Sequence, residues 1–236
     1  MRSILSTRRR VVALVALLSL LAGVAVALYA RLVHPYRPRI RHMLVQLPRA
    51  HRHLDGTTIA FVSDIHIGPH FTREDLAPTI ALLRRARPDL VLFGGDYISE
   101  SPRFLEYVGE PLRDMAAVSP HAAYGVLGNH DLANIRERVV EAVEGAGIRV
   151  LANEAVEIVT RRGAVWVAGI DDALLGAPDL DATFRQVPAG APVIALWHEP
   201  DLAERVEPYG PFLLLTGHTH GGQVRLPVVG PLALPL

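Results

Sequence analysis

Apolar residues fall into two rhythms along this chain. Near the amino terminus, residues 11–30 run without a single charge, long enough to cross a bilayer core as a helix. From Thr57 onward the apolar stretches shorten to 59–62, 90–93, 124–127, 193–197 and 212–215. Each of these has the length and bulk of a buried parallel strand. Between them the spacing predicts helices over 72–86, around 102–118, over 132–146, near 179–186 and over 200–206. Thr72 is the expected N-cap of the first, with Glu74 and Asp75 in its opening turn, and Gly147 the stop of the third. Residues 149–151, 155–160 and 165–170 read as close-spaced strands, the last two joined at Arg161-Arg162-Gly163, which suggests a second, partly antiparallel sheet. The expected class is α/β, a two-sheet αββα sandwich preceded by an N-terminal transmembrane helix.

Four segments follow: a basic flank over 1–10, a transmembrane helix or signal anchor over 11–33, a juxtamembrane linker over 34–54, and a domain over 55–236. Arg8-Arg9-Arg10 precede the apolar run and Arg31, Arg37, Arg39 and Arg41 follow it, so the flanks fix no orientation. Thr7-Arg8-Arg9-Arg10-Val11-Val12 also has the form of a loose twin-arginine export signal, with Ala25-Val26-Ala27 as a small-residue cleavage site. An uncleaved anchor and a processed signal both remain open. A buried core helix is the poorer reading, because neither end of the run carries a helix-period polar face. In the linker, His51-Arg52-His53 reads as solvated rather than metal-binding, and the arginines are suited to anionic lipid headgroups.

Charge and composition narrow the chemistry. The formal net charge is zero, yet residues 1–42 hold eight Arg and no acid, while 43–236 hold 16 Arg against 24 acids, a net of −8. An acidic folded part argues against a nucleic-acid surface. The chain has no Cys, which excludes thiolate nucleophiles, Cys-ligated zinc and disulfides. It also has no Lys, which excludes Schiff-base chemistry and a phosphate-loop lysine. No Gly-x-Ser-x-Gly elbow is present. Metal-activated water is the common hydrolytic route that remains.

Each short strand runs into a polar cluster: Asp64-Ile65-His66, Gly94-Gly95-Asp96, Gly128-Asn129-His130-Asp131, Trp197-His198 and Gly217-His218-Thr219-His220. The carboxyl edge of such a sheet is where open α/β folds place ligands. Carboxylate, imidazole and amide groups meeting there describe a cage for divalent metal ions. Asp64 and His66 stand at i and i+2, as do His218 and His220, so on extended backbone each pair faces one way. One cluster alone is weak, because a lone strand-end His is more often structural. Five in order are not coincidence.

The set resembles the calcineurin-like metallophosphoesterases, and the words Gly-Asp-Tyr, His-Glu-Pro and Gly-His-Thr-His-Gly-Gly-Gln-Val-Arg-Leu-Pro resemble their membrane-anchored bacterial branch. The resemblance spans roughly 57–227. It implies two divalent ions, drawn from Mn, Fe, Zn or Mg: one on Asp64, His66, Asp96 and His220, the other on Asp96, Asn129, His198 and His218, with Asp96 bridging. It implies His130 facing the substrate phosphate together with Asn129, with Asp131 following to orient the His130 ring. Arg225 reads either as a weaker phosphate contact or as a surface salt bridge. Two dications sharing a water would yield hydroxide near neutral pH, and a protonated His130 would assist the leaving alkoxide.

What the resemblance implies as function is a membrane-tethered phosphoesterase acting on a phosphoester or pyrophosphate bond, in a phosphorylated small molecule or a lipid-linked substrate, at the bacterial cytoplasmic membrane. The rival expectation is an inactive scaffold acting as a membrane-associated binding protein. Family members continue for several tens of residues past the last cluster, so the expected domain lacks C-terminal strands, and an unpaired sheet edge invites aggregation. Asp171-Asp172 reads as a capped turn, Glu199 as a helix-starting charge, and His70 and His121 as loop residues.

Overall fold

The computed structural model describes residues 2–69, 71–99, 101–133, 136–222, 225–226 and 230–231. It divides into two units, Met1–Arg41 and His42–Leu236. The first is one helix, α1 (Arg2–Leu32), followed by a 3-10 turn at His34–Tyr36. The helix takes in Arg8, Arg9, Arg10 and Arg31, while Arg37, Arg39 and Arg41 lie beyond it. From Val11 to Leu32 its large apolar side chains are exposed, and it is long and apolar enough to cross a membrane.

In the second unit, β1 (Ile59–Val62), α2 (Ala77–Ala86), β2 (Leu90–Phe93), α3 (Leu105–Ala116) and β3 (Ala123–Gly125) follow in order. A short turn of helix α4 (Asn129–Leu132), then α5 (Arg136–Gly145), leads to β4 (Ile148–Val150). These four strands form one wholly parallel sheet in the order β1-β2-β3-β4. The second sheet begins with the hairpin β5 (Glu154–Thr160) and β6 (Gly163–Gly169), turned by Arg161 and Arg162. Helix α6 (Leu180–Arg185) precedes β7 (Val193–Leu196), and α7 (Ala203–Val206) precedes β8 (Leu213–Leu215). The order is β5-β6-β7-β8, antiparallel at the hairpin and parallel beyond it. Two residues each form a last small ladder, β9 (Arg225–Leu226) with β10 (Gly230–Pro231).

Period-two alternation decides which side chain goes to which core. Leu90 and Leu92 point between the sheets, where they meet Val126, Ile158, Val167, Ile194 and Leu196. Val91 and Phe93 point the other way, onto Val108, Leu112 and Met115 of α3 and Val139 and Val143 of α5. On the far side of the second sheet, Val193, Ala195 and Trp197 pack against Phe184 and Val206. Three apolar layers bounded by helices give the expected αββα sandwich. The central strands β2 and β7 are buried at every position, while the edge strands β1 and β8 are half-buried throughout.

Four sequence expectations need correction. Residues 149–151 were grouped with the second sheet, but β4 closes the first. The α5 crossover and the left-handed turn at Gly147 (φ +91°) return the chain parallel to β3. The helix expected over 132–146 is two pieces, because Asn129 itself starts a helical turn and the Asp131 carboxylate caps the Gly128 N–H at its head. The start predicted at Thr72 is a 3-10 turn over Glu74–Leu76, in which Asp75 accepts from both the N–H and the hydroxyl of Thr72. The stretch read as a linker is also partly domain: Leu54 is buried and Leu47 packs on the inter-sheet core.

Leu92 sits at the centre of that core, fully buried. Leu92→Ala is expected to cost about 2–5 kcal/mol, seen as a lower urea midpoint of the detergent-solubilised chain. Val159→Ala, on an exposed side chain, is expected to leave the midpoint within about 0.5 kcal/mol.

Candidate metal centre

The strands β1, β2, β3, β7 and β8 each run into a polar cluster that begins one to three residues beyond the strand. The backbone there is not extended. Asp64 (φ 54°), His66 (φ 48°), Asp96 (φ 54°), His218 (φ 66°) and His220 (φ 50°) all adopt left-handed conformations. They are five of the seven non-glycine residues with positive φ among those described. Each costs on the order of 1 kcal/mol relative to right-handed backbone, and strain of this kind concentrates at functional sites. The i, i+2 argument from extended strand ends therefore fails in its premise, though the paired side chains still converge.

Glycines make the approach possible. A Cβ on Gly95 (φ +91°) would lie 2.5 Å from the Gly128 nitrogen and 2.7 Å from the Leu127 carbonyl carbon, so the second and third clusters touch backbone to backbone. A Cβ on Gly217 would run into the Ser63 hydroxyl and lie 2.7 Å from Asp64 Oδ2. Any side chain at either position would push the loops apart.

Asp96 is at the middle. Its Oδ2 is 3.3 Å from His66 Nε2 and 3.2 Å from His198 Nε2, and its Oδ1 accepts the His130 backbone N–H at 3.0 Å. His66 Nε2 is 3.1 Å from His220 Nε2, and His220 Nε2 is 3.6 Å from Asp64 Oδ1. On the other side, His218 Nδ1 and Asn129 Oδ1 are 3.0 Å apart, with the His198 and His218 rings 5.2 Å apart. Asp64 Oδ1 also accepts the His218 N–H at 2.9 Å, which locks the first cluster to the last across 154 residues of chain. The His130 ring stands edge-on to His66 with centroids 4.8 Å apart. Every one of the seven expected ligands is thus in the same site.

The donor set suits cations. Asp64, His66 and His220 offer three ligand atoms mutually within 4.8 Å, as do His66, Asp96 and His130, and Asp64, Asp96 and His198. His198 is the clearest case. Its Nδ1 faces the Gly94 carbonyl at 2.6 Å, which fixes a proton there, while its fully buried Nε2 is aimed at Asp96, 3.2 Å from Oδ2. A second hydrogen bond that sets the tautomer is how ligating imidazoles are oriented.

Electrostatics treat the two imidazoles beside Asp96 differently. Burial alone would lower the His198 pKa, but the hydrogen bond and charge of Asp96 outweigh it and push it up to about 9. For Asp96, burial opposes ionisation, and the hydrogen bond and charge of His198 more than restore it, so the carboxyl sits below its ordinary value. Burial, with His220 and His130 nearby, holds His66 below its ordinary value and so in the neutral form a metal ligand needs.

Asp131 does something the sequence did not suggest. Its hydrogen bonds run to backbone: Oδ2 accepts from Asp96 N (2.8 Å) and Gly128 N (3.0 Å), and Oδ1 from Tyr97 N (2.9 Å). The carboxylate expected to orient the His130 ring sews the second ligand loop to the third. Burial, then the Asp96 charge, raise its pKa to about 7, against these N–H donors.

Glu199 stands at the head of the 3-10 turn Pro200–Leu202, as expected, but is drawn inward. It is buried, accepts the Ala173 N–H at 3.2 Å and lies against Asp172. Burial first, then the hydrogen bond and charge of Asp172, push its carboxyl up to about 8. Its position directly after a ligand and an apolar run was the available signal. Asp171-Asp172 is a capped turn, as read: Asp172 Oδ1 accepts the N–H groups of Leu174 and Leu175. Arg225 is exposed and donates to the Gly221 carbonyl at 2.9 Å. His121 lies in a loop, and His70 lies outside the described residues.

Known proteins give the same answer as this geometry. The family described as calcineurin-like phosphoesterase matches residues 57–222. The chain is 32% identical over 211 residues to the uncharacterized metallophosphoesterase YkuE of Bacillus subtilis, covering 88% of this chain and 73% of that one. It is 34% identical over 179 residues to phosphodiesterase YaeI of Escherichia coli, covering 73% and 63%. A transmembrane protein with a metallophosphoesterase domain from Danio rerio is 28% identical over 88% of this chain and 50% of its own length. The protein belongs to the calcineurin-like phosphoesterase family, whose members use divalent metal ions.

Asp131→Asn leaves an amide where backbone N–H donors need a carboxylate. It is expected to destabilise the domain by about 1–3 kcal/mol for each donor left unpaired, and to lower divalent metal per chain measured by elemental analysis. Asp114→Asn, at a half-exposed surface ion pair, is expected to change neither.

Proposed function

We propose that this protein is a membrane-tethered, dinuclear metal-dependent phosphoesterase, with Asp64, His66, Asp96 and His220 holding one ion and Asp96, Asn129, His198 and His218 the other. The observation that carries the reading is Asp96: one carboxylate oxygen within 3.3 Å of two imidazole nitrogens from different sheets, His66 and His198, where a bridging ligand has to be. Two ions held there supply an activated water and neutralise charge on the phosphoryl oxygens.

The chain's own groups do the rest. The Asn129 amide and the His130 ring border the cage, so a phosphate seated on it meets both. His130 in its protonated form donates to the leaving oxygen. Its backbone N–H is held by Asp96 Oδ1, so the loop carrying it moves with the bridging carboxylate. Arg225 is proposed as a weaker contact to a substrate phosphate. Asp131 acts through position, not by touching substrate.

A phosphodiester is the favoured substrate class, supported by the name of the Escherichia coli relative. The apolar α1, and the transmembrane relative in Danio rerio, support tethering to a membrane, here the bacterial cytoplasmic membrane, by an anchor or by an export signal before cleavage. A tethered enzyme favours substrates in or near the envelope, including lipid-linked ones.

Chelator-stripped protein is expected to lose hydrolysis of bis-p-nitrophenyl phosphate and to regain it with Mn²⁺. Asp96→Asn is expected to lose both activity and metal. His130→Asn is expected to keep its metal content while kcat falls about 10²–10⁴-fold. Metal bound without turnover in the unaltered chain would reject the enzyme and leave the binding scaffold.

A further inference from the structure

The loop between β6 and α6 is unusual in what it lacks. Its middle reads Ala173-Leu174-Leu175-Gly176-Ala177-Pro178, six residues with no polar side chain, in neither helix nor strand. Surface loops are ordinarily polar, because their backbones already face water. Here Leu174 is 53% and Leu175 56% exposed.

This exposure is built in. Asp172 Oδ1 accepts the N–H of Leu174 at 3.0 Å and that of Leu175 at 2.6 Å. Asp171 Oδ2 accepts from Ala177 N and from Arg136 Nη1, each at 3.1 Å. Asn153 Nδ2 donates to the Ala177 carbonyl, and Asn153 Oδ1 accepts from Asp171 N and Asp179 N. The Trp197 indole N–H donates to the Asp171 carbonyl. Two leucines are therefore held out by their own backbone, on a base of largely part-buried hydrogen bonds, and cannot fold back onto the core without breaking it.

The loop also abuts the metal centre. Ala173 donates its N–H to Glu199, the residue after His198, and Asp172 acts electrostatically on His218. An apolar tip thus stands beside the carboxyl edge where a phosphate would be bound.

We propose that Leu174 and Leu175 insert into the acyl region of the bilayer to which the chain is tethered, bringing the metal centre to the lipid surface. This rests on the membrane-tethered reading above. The occupant is lipid rather than protein for two reasons. The tether keeps a bilayer within reach of the domain at high local concentration. An exposed pair of leucines on a narrow tip is also too small an apolar area for a stable protein interface, while interfacial insertion needs only a few apolar side chains added to a second anchor.

The absence of Cys makes the test clean. Leu174→Cys in the full chain, labelled with an environment-sensitive nitrobenzoxadiazole fluorophore, is reconstituted into phosphatidylcholine–phosphatidylglycerol vesicles with or without nitroxide-labelled lipid. Val159→Cys, 66% exposed on β5, is the comparison. The Leu174 probe is expected to shift to the blue, to resist aqueous iodide and to lose most of its emission to nitroxide lipid, while the Val159 probe is quenched by iodide alone. Leu175→Cys gives the same reading if Leu174→Cys misfolds. Two results would overturn insertion: iodide quenching of the Leu174 probe equal to that at Val159, or a blue shift without nitroxide quenching, which means a protein surface covers the tip. Vesicle flotation reports the tether separately: a chain that floats with an aqueous tip defeats insertion alone, and a chain that stays in solution defeats both readings.

Discussion

The carboxylate of Asp131 accepts backbone N–H groups from Asp96 and Tyr97 in one loop and from Gly128 in another, and the candidate site is only as well defined as that knot. Asp96 has a left-handed backbone and a buried side chain. Nothing in the strands alone would keep it so. Once the second and third loops are fused, Asp96 has one orientation, and His66, His198 and the His130 amide can be arranged about it. The knot needs Gly95 and Gly128 to let the loops touch, and it needs β2 and β3 paired in register so that both loops leave the sheet at the same level.

The two sheets then divide the remaining work. The first contributes Asp64, His66, Asp96 and Asn129; the second contributes His198, His218 and His220. The inter-sheet core of leucine, valine and isoleucine therefore sets the separation of the two halves of the site. A hydrogen bond from the His218 amide to Asp64 joins the halves directly. Packing and site geometry are in this sense one problem: a cavity between the sheets loosens the side chains that must meet around the cations.

Much of this could be read from the sequence, for an identifiable reason. Buried parallel strands are short apolar runs, and the residues just past them are forced to one edge, so Asp64, Asp96, Asn129, His198 and His218 announce themselves by position as well as by type. The sandwich followed from the same runs. What stayed hidden depends on backbone geometry or on a partner far along the chain. The left-handed conformations of Asp64 and His66 leave no mark in a sequence that reads as the end of a strand. Asp131 beside His130 invites a side-chain pairing, whereas its oxygens accept backbone amides, among them those of Asp96 and Tyr97 more than thirty residues away. Glu199 is the helix start it looks like, but its burial against Asp172 and Ala173 leaves no mark in the sequence. β4 could be assigned to its sheet only by following the crossover that precedes it.

The left-handed residues carry a consequence for descent. Five side chains hold the backbone where glycine would rest more comfortably, so the fold alone gives no reason for aspartate and histidine at these positions, and the proposed cations supply one. A lineage in which turnover stopped mattering would gain stability by drifting toward glycine or asparagine there, long before its core changed. Erosion at 64, 66, 96, 218 and 220, in an otherwise intact sandwich, would be the signature of a descendant that had given up chemistry.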